Sequence, residues 1–165
     1  MASATPFTVR FYDPITKAKD DSNRCLDDIL DFSDDELESC HDFIQYLFPL
    51  PESSPINPDA PIVTKAVRDA FVGKVELRRE LLRSVRRMAE FYGFTMSCEE
   101  TSNELVSLLH SGRYKRASRS TWRMRFNHNH LRITRIIRCL RVLGEEDVAR
   151  GLHRTFLQHN DGRYV

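Results

Sequence analysis

The sequence predicts an all-α fold, a single compact multi-helix domain of about six or seven helices with an extended N-terminal arm and a Pro-rich loop. Three observations favour it: apolar residues recur at spacings of three and four, capping residues and glycines bound those segments, and no convincing pair of strands is present. With 165 residues, 41% of them hydrophobic, the chain can bury a sizeable core. We expect an arm over residues 1–22, the helical domain over 23–158 and a tail over 159–165.

The N-terminal arm is expected to carry an extended aromatic stretch, residues 8–12, that lays Phe11 and Tyr12 on the body of the protein. The first helix is predicted within residues 23–30, because Leu26, Ile29 and Leu30 have helical spacing. Ser22 is the expected cap of this short helix.

A second helix should open at Ser33, which forms a capping box with Glu36. Its apolar positions continue to Phe48, where two prolines forbid further helix. Residues 49–63 contain five prolines and predict an irregular loop that is rigid, because proline fixes its own φ angle.

The longest helix is predicted from Lys74 to Tyr92, with one broad apolar stripe and Gly93 in the stop position. A shorter helix precedes it, capped by Thr64 and running through Phe71.

A further capping box at residues 97–100 predicts a helix that ends at Gly112 and buries three leucines, Leu105, Leu108 and Leu109. A basic, aromatic segment with weak periodicity follows, over residues 113–126.

Two helices complete the domain. One is predicted over residues 129–143, capped by Asn127 or Asn129 and followed by Gly144. The other starts at three acids, residues 145–147, which suit the positive end of a helix dipole, and frays from Gln158.

Composition excludes several classes of protein. The net charge of +1 gives no overall attraction for nucleic acid or an anionic membrane, and no apolar run reaches the roughly 20 residues of a membrane helix. The start has no secretory signal layout, and the four cysteines form no CxxC pair, so we expect reduced thiols and an intracellular protein, cytoplasmic or nuclear. No catalytic or dinucleotide motif is present, and neither a cofactor nor a metal is expected.

The basic segment is the strongest feature of composition. Residues 111–144 hold ten basic residues and no acid, with Tyr114, Trp122 and Phe126 interleaved. Arginines beside aromatics suit phosphate contacts and base stacking. The candidate anion-binding residues are Arg113, Lys115, Arg116, Arg119, Arg123, Arg125 and Arg135. The alternative is a solvated face paired with acids of residues 1–40, such as Asp27 and Asp28.

Four segments in order give a resemblance: Val9–Tyr12, His41–Leu50, Phe91–Gly93 and His128–Ile137. Together they resemble the conserved region of opioid growth factor receptor proteins over residues 9–158. The family's HxYIQWLFP pattern is matched with two changes: this sequence has Phe43 where the pattern has Tyr, and Tyr46 where it has Trp. The resemblance implies a receptor-like module. In vertebrate members it implies binding of an opioid peptide, association with the nucleus and restraint of proliferation.

The resembling segments contain the candidate ligand-binding residues: His41, Gln45, Tyr46, Phe48, Tyr92, His128 and Arg132. His41 and Gln45 lie one helical turn apart beside a buried face, so they either bond backbone groups of the Pro-rich loop or form a pocket floor. His128 and His130 face different directions on a helix, which disfavours a metal site.

The sequence favours one function and leaves an alternative and a lower alternative open. The first is a non-catalytic module that binds a peptide or protein in an aromatic groove near His41, Gln45 and Tyr46. The second binds nucleic acid or a phosphate ligand through residues 113–141. The third is a small-molecule enzyme with a pocket that contains a histidine.

Overall fold

The computed structural model describes residues 4–97 and 106–160. Within those ranges the chain forms nine helices and one two-stranded antiparallel sheet. The chain is therefore mostly helical, as predicted, but the all-α expectation is corrected by the sheet. By internal contacts it divides into a first unit, residues up to 84 with 142–144, and a second unit, 85–141 with the residues from 145 onward.

The first five helices are short, and the longest helix has residues in both units. The first unit contains α1 (Phe7–Tyr12), α2 (Leu26–Leu30), α3 (Asp34–Ser39), α4 (Ile44–Leu47) and α5 (Lys65–Gly73), and the long α6 (Val75–Phe91) begins there. The second unit contains the rest of α6, β1 (Phe94–Ser97), β2 (Ser107–His110), α7 (Tyr114–Thr121), most of α8 (Asn129–Leu143) and α9 (Glu146–His159).

The predicted extended stretch at residues 8–12 is wrong, because these residues form α1. Their buried side chains, Thr8, Val9, Phe11 and Tyr12, fit helical spacing better than strand alternation. Phe11 and Tyr12 are buried in the first unit, as the sequence suggested. The Tyr12 hydroxyl donates to the carbonyl of Leu47, and the Tyr12 ring meets Phe71 edge to face at 5.3 Å.

The first predicted helix is shorter than expected, because α2 begins at Leu26 with Cys25 as its cap residue. The Asp28 carboxylate accepts a hydrogen bond from the Cys25 backbone N–H at 2.8 Å. Ser22 therefore does not cap it.

The capping box of Ser33 and Glu36 is confirmed, but the continuous helix to Phe48 is wrong. α3 ends at Ser39, and α4 starts only at Ile44. Between them the Asp42 carboxylate pairs with the Arg24 guanidinium at 3.0 Å. This ion pair holds an irregular turn that apolar spacing alone could not reveal.

The Pro-rich loop of residues 49–63 is irregular, as predicted. The Val63 N–H donates to the Leu50 carbonyl at 2.9 Å and closes the loop upon itself. The Thr64 hydroxyl accepts from the Val67 N–H at 3.4 Å, so the predicted cap of α5 is confirmed.

The chain turns out of α6 at Gly93, as predicted, and then forms a hairpin that was not predicted. Its register pairs Phe94 with His110 and Met96 with Leu108. Leu108 is thus buried on a strand and not on a helix, and Leu109 is exposed. The capping box at residues 97–100 and Leu105 lie largely outside the described residues, which resume at residue 106.

The basic segment forms a helix, α7, where the sequence showed only weak periodicity. The two predicted helices after it are confirmed as α8 and α9. The Asn127 side chain accepts from the Asn129 N–H at 2.8 Å at the start of α8, and Gly144, with φ of +93°, follows its end. Cys139 of α8 is fully buried, and burial raises the pKa of its thiol.

The second unit is built around an aromatic cluster. The Phe156 ring lies 5.1 Å from Trp122, 5.5 Å from Phe94 and 5.7 Å from Tyr92, always near a right angle. Edge-to-face packing of this kind fixes ring positions as well as burying area. Within residues 4–97 and 106–160, no helix is long and apolar enough to cross a bilayer.

Gly93 is irreplaceable at this corner, because its φ of +96° is left-handed and a Cβ there would lie 2.9 Å from the Tyr114 Cα. We expect Gly93→Ala to lower the free energy of unfolding by about 3 kcal/mol, from backbone strain and overpacking combined. Urea unfolding followed by the fluorescence of Trp122, the one tryptophan of the chain, measures this loss in the second unit.

Gly112→Ala is the matched control, because a Cβ at Gly112 meets no atom within 4 Å. We expect its unfolding free energy to stay within about 0.5 kcal/mol of the wild type. Equal losses in both variants would contradict the steric explanation.

Candidate binding site

The four candidate ligand residues of the first unit are mostly covered. Gln45, Tyr46 and Phe48 are buried, and His41 is exposed. The Gln45 amide faces the backbone carbonyls of residues 42 and 41, with its nitrogen at 3.0 and 3.3 Å in the orientation that satisfies both groups. Gln45 therefore bonds the turn before its own helix and not the Pro-rich loop.

Tyr46 is held by a polar contact at its tip. Its hydroxyl donates to the Asp21 carboxylate at 2.7 Å. Burial and this hydrogen bond raise the pKa of Tyr46 to about 12, so the phenol stays neutral.

An ion network that sequence reasoning missed supports this region. The Arg24 guanidinium bonds the fully buried Asp20 carboxylate at 2.7 Å and Asp42 at 3.0 Å. Burial would raise the pKa of Asp42, but hydrogen bonds from Cys40 and Arg24 outweigh it and lower that pKa. The sequence signal that could have indicated this ion pair is the spacing of four residues between the opposite charges of Asp20 and Arg24.

The candidate ligand residues of the second unit are buried or half-buried. Tyr92 and Arg132 are buried, and His128 is half-buried. The Tyr92 carbonyl accepts from the Trp122 indole N–H at 3.1 Å. Arg132 donates to the Asn129 side-chain oxygen at 3.3 Å.

The residues Asn129 and His130 fasten the start of α8 to the end of α7. The Asn129 amide donates to the Thr121 carbonyl at 3.1 Å, and the His130 Nε2 lies 2.6 Å from the Trp122 carbonyl. A carbonyl only accepts, so His130 carries its proton on Nε2. This region thus pins a loop in place, and the described part of the chain holds no group of three or more metal-ligating side chains.

A cavity of about 370 Å³ opens beside this loop. Its lining comes from the loop, from α8 and from the last turns of α9: Trp122, Arg125, Phe126, His130, Ile133, Phe156 and Asn160. Its walls are mainly apolar, and its volume falls within the range of small-ligand sites. Sequence reasoning missed it, because the lining residues meet only in the folded chain.

Phe126 at the rim of this cavity is the most unusual residue of the site. Its side chain is 97% exposed, and its φ of +57° is left-handed. A bulky non-glycine residue in that region is rare and strained, and such strain concentrates at binding sites.

The candidate anion-binding residues separate into two groups. Lys115, Arg116, Arg119 and Arg125 are exposed and make no ion pair with any residue that the structure describes. Arg113, Arg123 and Arg135 take part in further interactions, Arg113 donating to the Glu90 carbonyl at 3.5 Å. The Asp27 carboxylate, an expected partner of the basic face, is bound instead by Lys17 at 2.8 Å and by Arg83 at 2.6 Å.

Two histidines of the second unit face each other. The His110 and His159 Nε2 atoms are 2.8 Å apart, and the His159 Nδ1 lies 2.8 Å from the Thr155 carbonyl. That carbonyl requires a proton on Nδ1, so in the neutral pair His110 donates to His159. The His110 ring also stacks on Tyr114 at 3.5 Å.

Residues 3–161 match a family model described as the opioid growth factor receptor (OGFr) conserved region. The chain belongs to this family. The resemblance drawn from the four sequence segments is confirmed, and the OGFr conserved region takes in residues of both units.

Curated relatives agree with this membership. The opioid growth factor receptors of Homo sapiens and Rattus norvegicus are 36% and 35% identical over 124 residues, or 75% of this chain. Opioid growth factor receptor-like protein 1 of Rattus norvegicus is 33% identical over 68% of it. These matches span about a fifth of each relative's length, 17 to 22%. No solved structure matches the chain.

We expect the stability of this OGFr region to depend on pH through the histidine pair. Burial, then the charges of His159 and Arg123, lower the pKa of His110 from its ordinary 6.5. The unfolded chain therefore binds the proton more readily, and stability present above pH 6.5 is lost as the pH falls. We expect a lower urea midpoint at about pH 5.5 than at about pH 7.5.

His110→Gln should reduce this difference between the two pH values, as followed by Trp122 fluorescence. His153→Gln, which removes an exposed histidine of α9, should leave the difference as in the wild type. An unchanged difference in the His110 variant would show that other groups cause the pH dependence.

Proposed function

We propose that this chain is a non-catalytic interaction module that binds a peptide or protein partner through the apolar cavity of its second unit. Membership of the OGFr family supports a receptor-like role, because the curated relatives are named as receptors. The observation that carries the proposal is the cavity itself, with Phe126 exposed in a strained conformation at its rim. The proposal moves the binding site from His41, Gln45 and Tyr46 to the second unit.

The cavity is suited to a bulky apolar side chain. Trp122, Ile133 and Phe156 supply its apolar walls. The polar atoms nearest to them are engaged: the Trp122 indole N–H donates to Tyr92, and His130 donates to the Trp122 carbonyl. An incoming apolar group therefore displaces water without leaving these donors unpaired.

Phe126 fits the role of an anchor contributed by the module. Exposed aromatic rings bury a large area on binding at a small cost in conformational entropy. Free in solution, Phe126 retains strain and gains nothing from packing, since nearly all of its side chain meets solvent. Burial under a partner offsets that cost.

Peptide selection tests the proposal. A display library of random 12-residue peptides is selected against the whole chain, and enriched peptides are synthesised and titrated. Because Trp122 lines the cavity and is the one tryptophan of the chain, a shift in its emission reports occupancy directly when the peptide lacks tryptophan.

We expect Phe126→Gly to raise stability and weaken binding together. Glycine tolerates the left-handed φ, so the unfolding free energy should rise by about 1 kcal/mol, while the affinity for a selected peptide falls at least tenfold. Urea unfolding and fluorescence titration give the two values.

Leu131→Ala is the matched control, because Leu131 is 75% exposed in the same unit but does not line the cavity. Its peptide affinity should equal that of the wild type. A selected peptide that binds both variants as tightly as the wild type would overturn the cavity as the binding site.

A further inference from the structure

The cavity lies at the end of a row of uncompensated cations. Lys115, Arg119 and Trp122 occupy positions i, i+4 and i+7 of the α7 segment, so they follow one side of the helix toward the cavity. Arg116 adds a charge to the same helix, and Arg125 lines the cavity itself. No acid occurs between residues 111 and 144 to neutralise them.

These charges work against the helix that carries them. Lys115 and Arg116 stand in the first turn of α7, at the positive end of its dipole, and that turn holds no acid and no side-chain cap. Lys115 and Arg119 are like charges at spacing i, i+4, which also disfavours the helix. Carboxylates of a bound partner relieve both repulsions.

Resting on the proposed function, we infer that the partner is an acidic peptide segment, in which a bulky apolar residue enters the cavity while neighbouring Asp or Glu side chains pair with Arg125 and the α7 cations. Guanidinium groups bind carboxylates through two parallel hydrogen bonds, and Arg116, Arg119 and Arg125 have no ion pair among the described residues.

Helix geometry sets the spacing of the recognised segment. Trp122, the residue that follows α7, lies seven positions after Lys115, a rise of about 10 Å along the helix axis. An extended peptide covers that distance in about three residues. The carboxylates are therefore expected within about four residues of the apolar anchor, on one side of it.

The site favours a peptide over nucleic acid. Base recognition needs exposed ring faces for stacking and free polar groups for base edges. Phe126 offers one exposed ring, but Trp122 is buried, and the polar groups of Asn129 and His130 are committed to backbone carbonyls and do not read base edges. One apolar cavity beside a short row of cations is complementary to a peptide in which an apolar residue is followed by Asp or Glu residues.

The same selected peptides test this inference. We expect enriched sequences to carry a bulky apolar residue with at least two Asp or Glu within four positions. Replacing those acids by Asn and Gln in the synthetic peptide should weaken binding at least tenfold at about 50 mM NaCl and much less at about 500 mM, where charges are screened.

A double variant of the chain, Arg119→Gln with Arg125→Gln, should also lose at least tenfold in affinity for the acidic peptide. Its matched control is Arg86→Gln with Arg154→Gln, which removes two exposed cations of the same unit outside the row. The control should retain wild-type affinity. Both double variants keep the buried residues intact, and their urea midpoints check folding.

The outcomes separate the two claims. Enriched peptides that are neutral or basic, and that still lose affinity with Phe126→Gly, would overturn the acidic partner and leave the cavity as a binding site. Absence of enrichment, or binding insensitive to Phe126→Gly, would overturn both. Displacement of the peptide by a single-stranded oligonucleotide, with oligonucleotide affinity that depends on Arg119 and Arg125 but not on Phe126, would assign the cations to nucleic acid instead.

Discussion

The second unit depends on two backbone carbonyls at the end of α7. Thr121 and Trp122 terminate that helix, and a helix end leaves carbonyl groups that require donors. Asn129 and His130 at the start of α8 supply these donors. These two hydrogen bonds fix both ends of the loop between the helices. Trp122 then lies in the aromatic cluster, and Phe126 lies exposed on the outside.

The same hydrogen bonds also determine the surface that Trp122 presents to the cavity. With its carbonyl and its indole N–H both bonded, Trp122 presents only an apolar surface to the cavity. The cations of α7 find no acid within their own segment, in contrast to Arg24 and Arg83 of the first unit, each of which is bound by a carboxylate. The bonded groups are thus those of Trp122 and its neighbours, while the α7 cations have no acid within their own segment.

Local signals predicted the helices that carry their own start and stop residues. The capping box at Ser33, the cap at Thr64 and the glycine at Gly93 all act on groups within a few residues, so the sequence contains the whole interaction. α6, α8 and α9 also have enough turns for their apolar stripes to be unambiguous. Family membership came from ordered segments, which need no three-dimensional information.

Long-range interactions account for what the sequence did not predict. The break between α3 and α4 depends on Arg24 reaching Asp42, and the hairpin pairs residues on both sides of a stretch about ten residues long. The cavity is assembled from residues 122 to 160, so no single motif contains it. The exposed position of Phe126 follows from a backbone angle that propensity would not assign to phenylalanine.

Because Cys139 is buried, the rate at which its thiol is modified reports on opening of the second unit. Alkylating reagents attack the thiolate, and a side chain that is both enclosed and reluctant to ionise reacts only after the surrounding helices separate. Cys25 and Cys40 of the first unit are half-exposed and meet the reagent without such opening. The rate of modification at residue 139 therefore measures how often the interior of the second unit opens, and the experiment needs no mutation and no prior label.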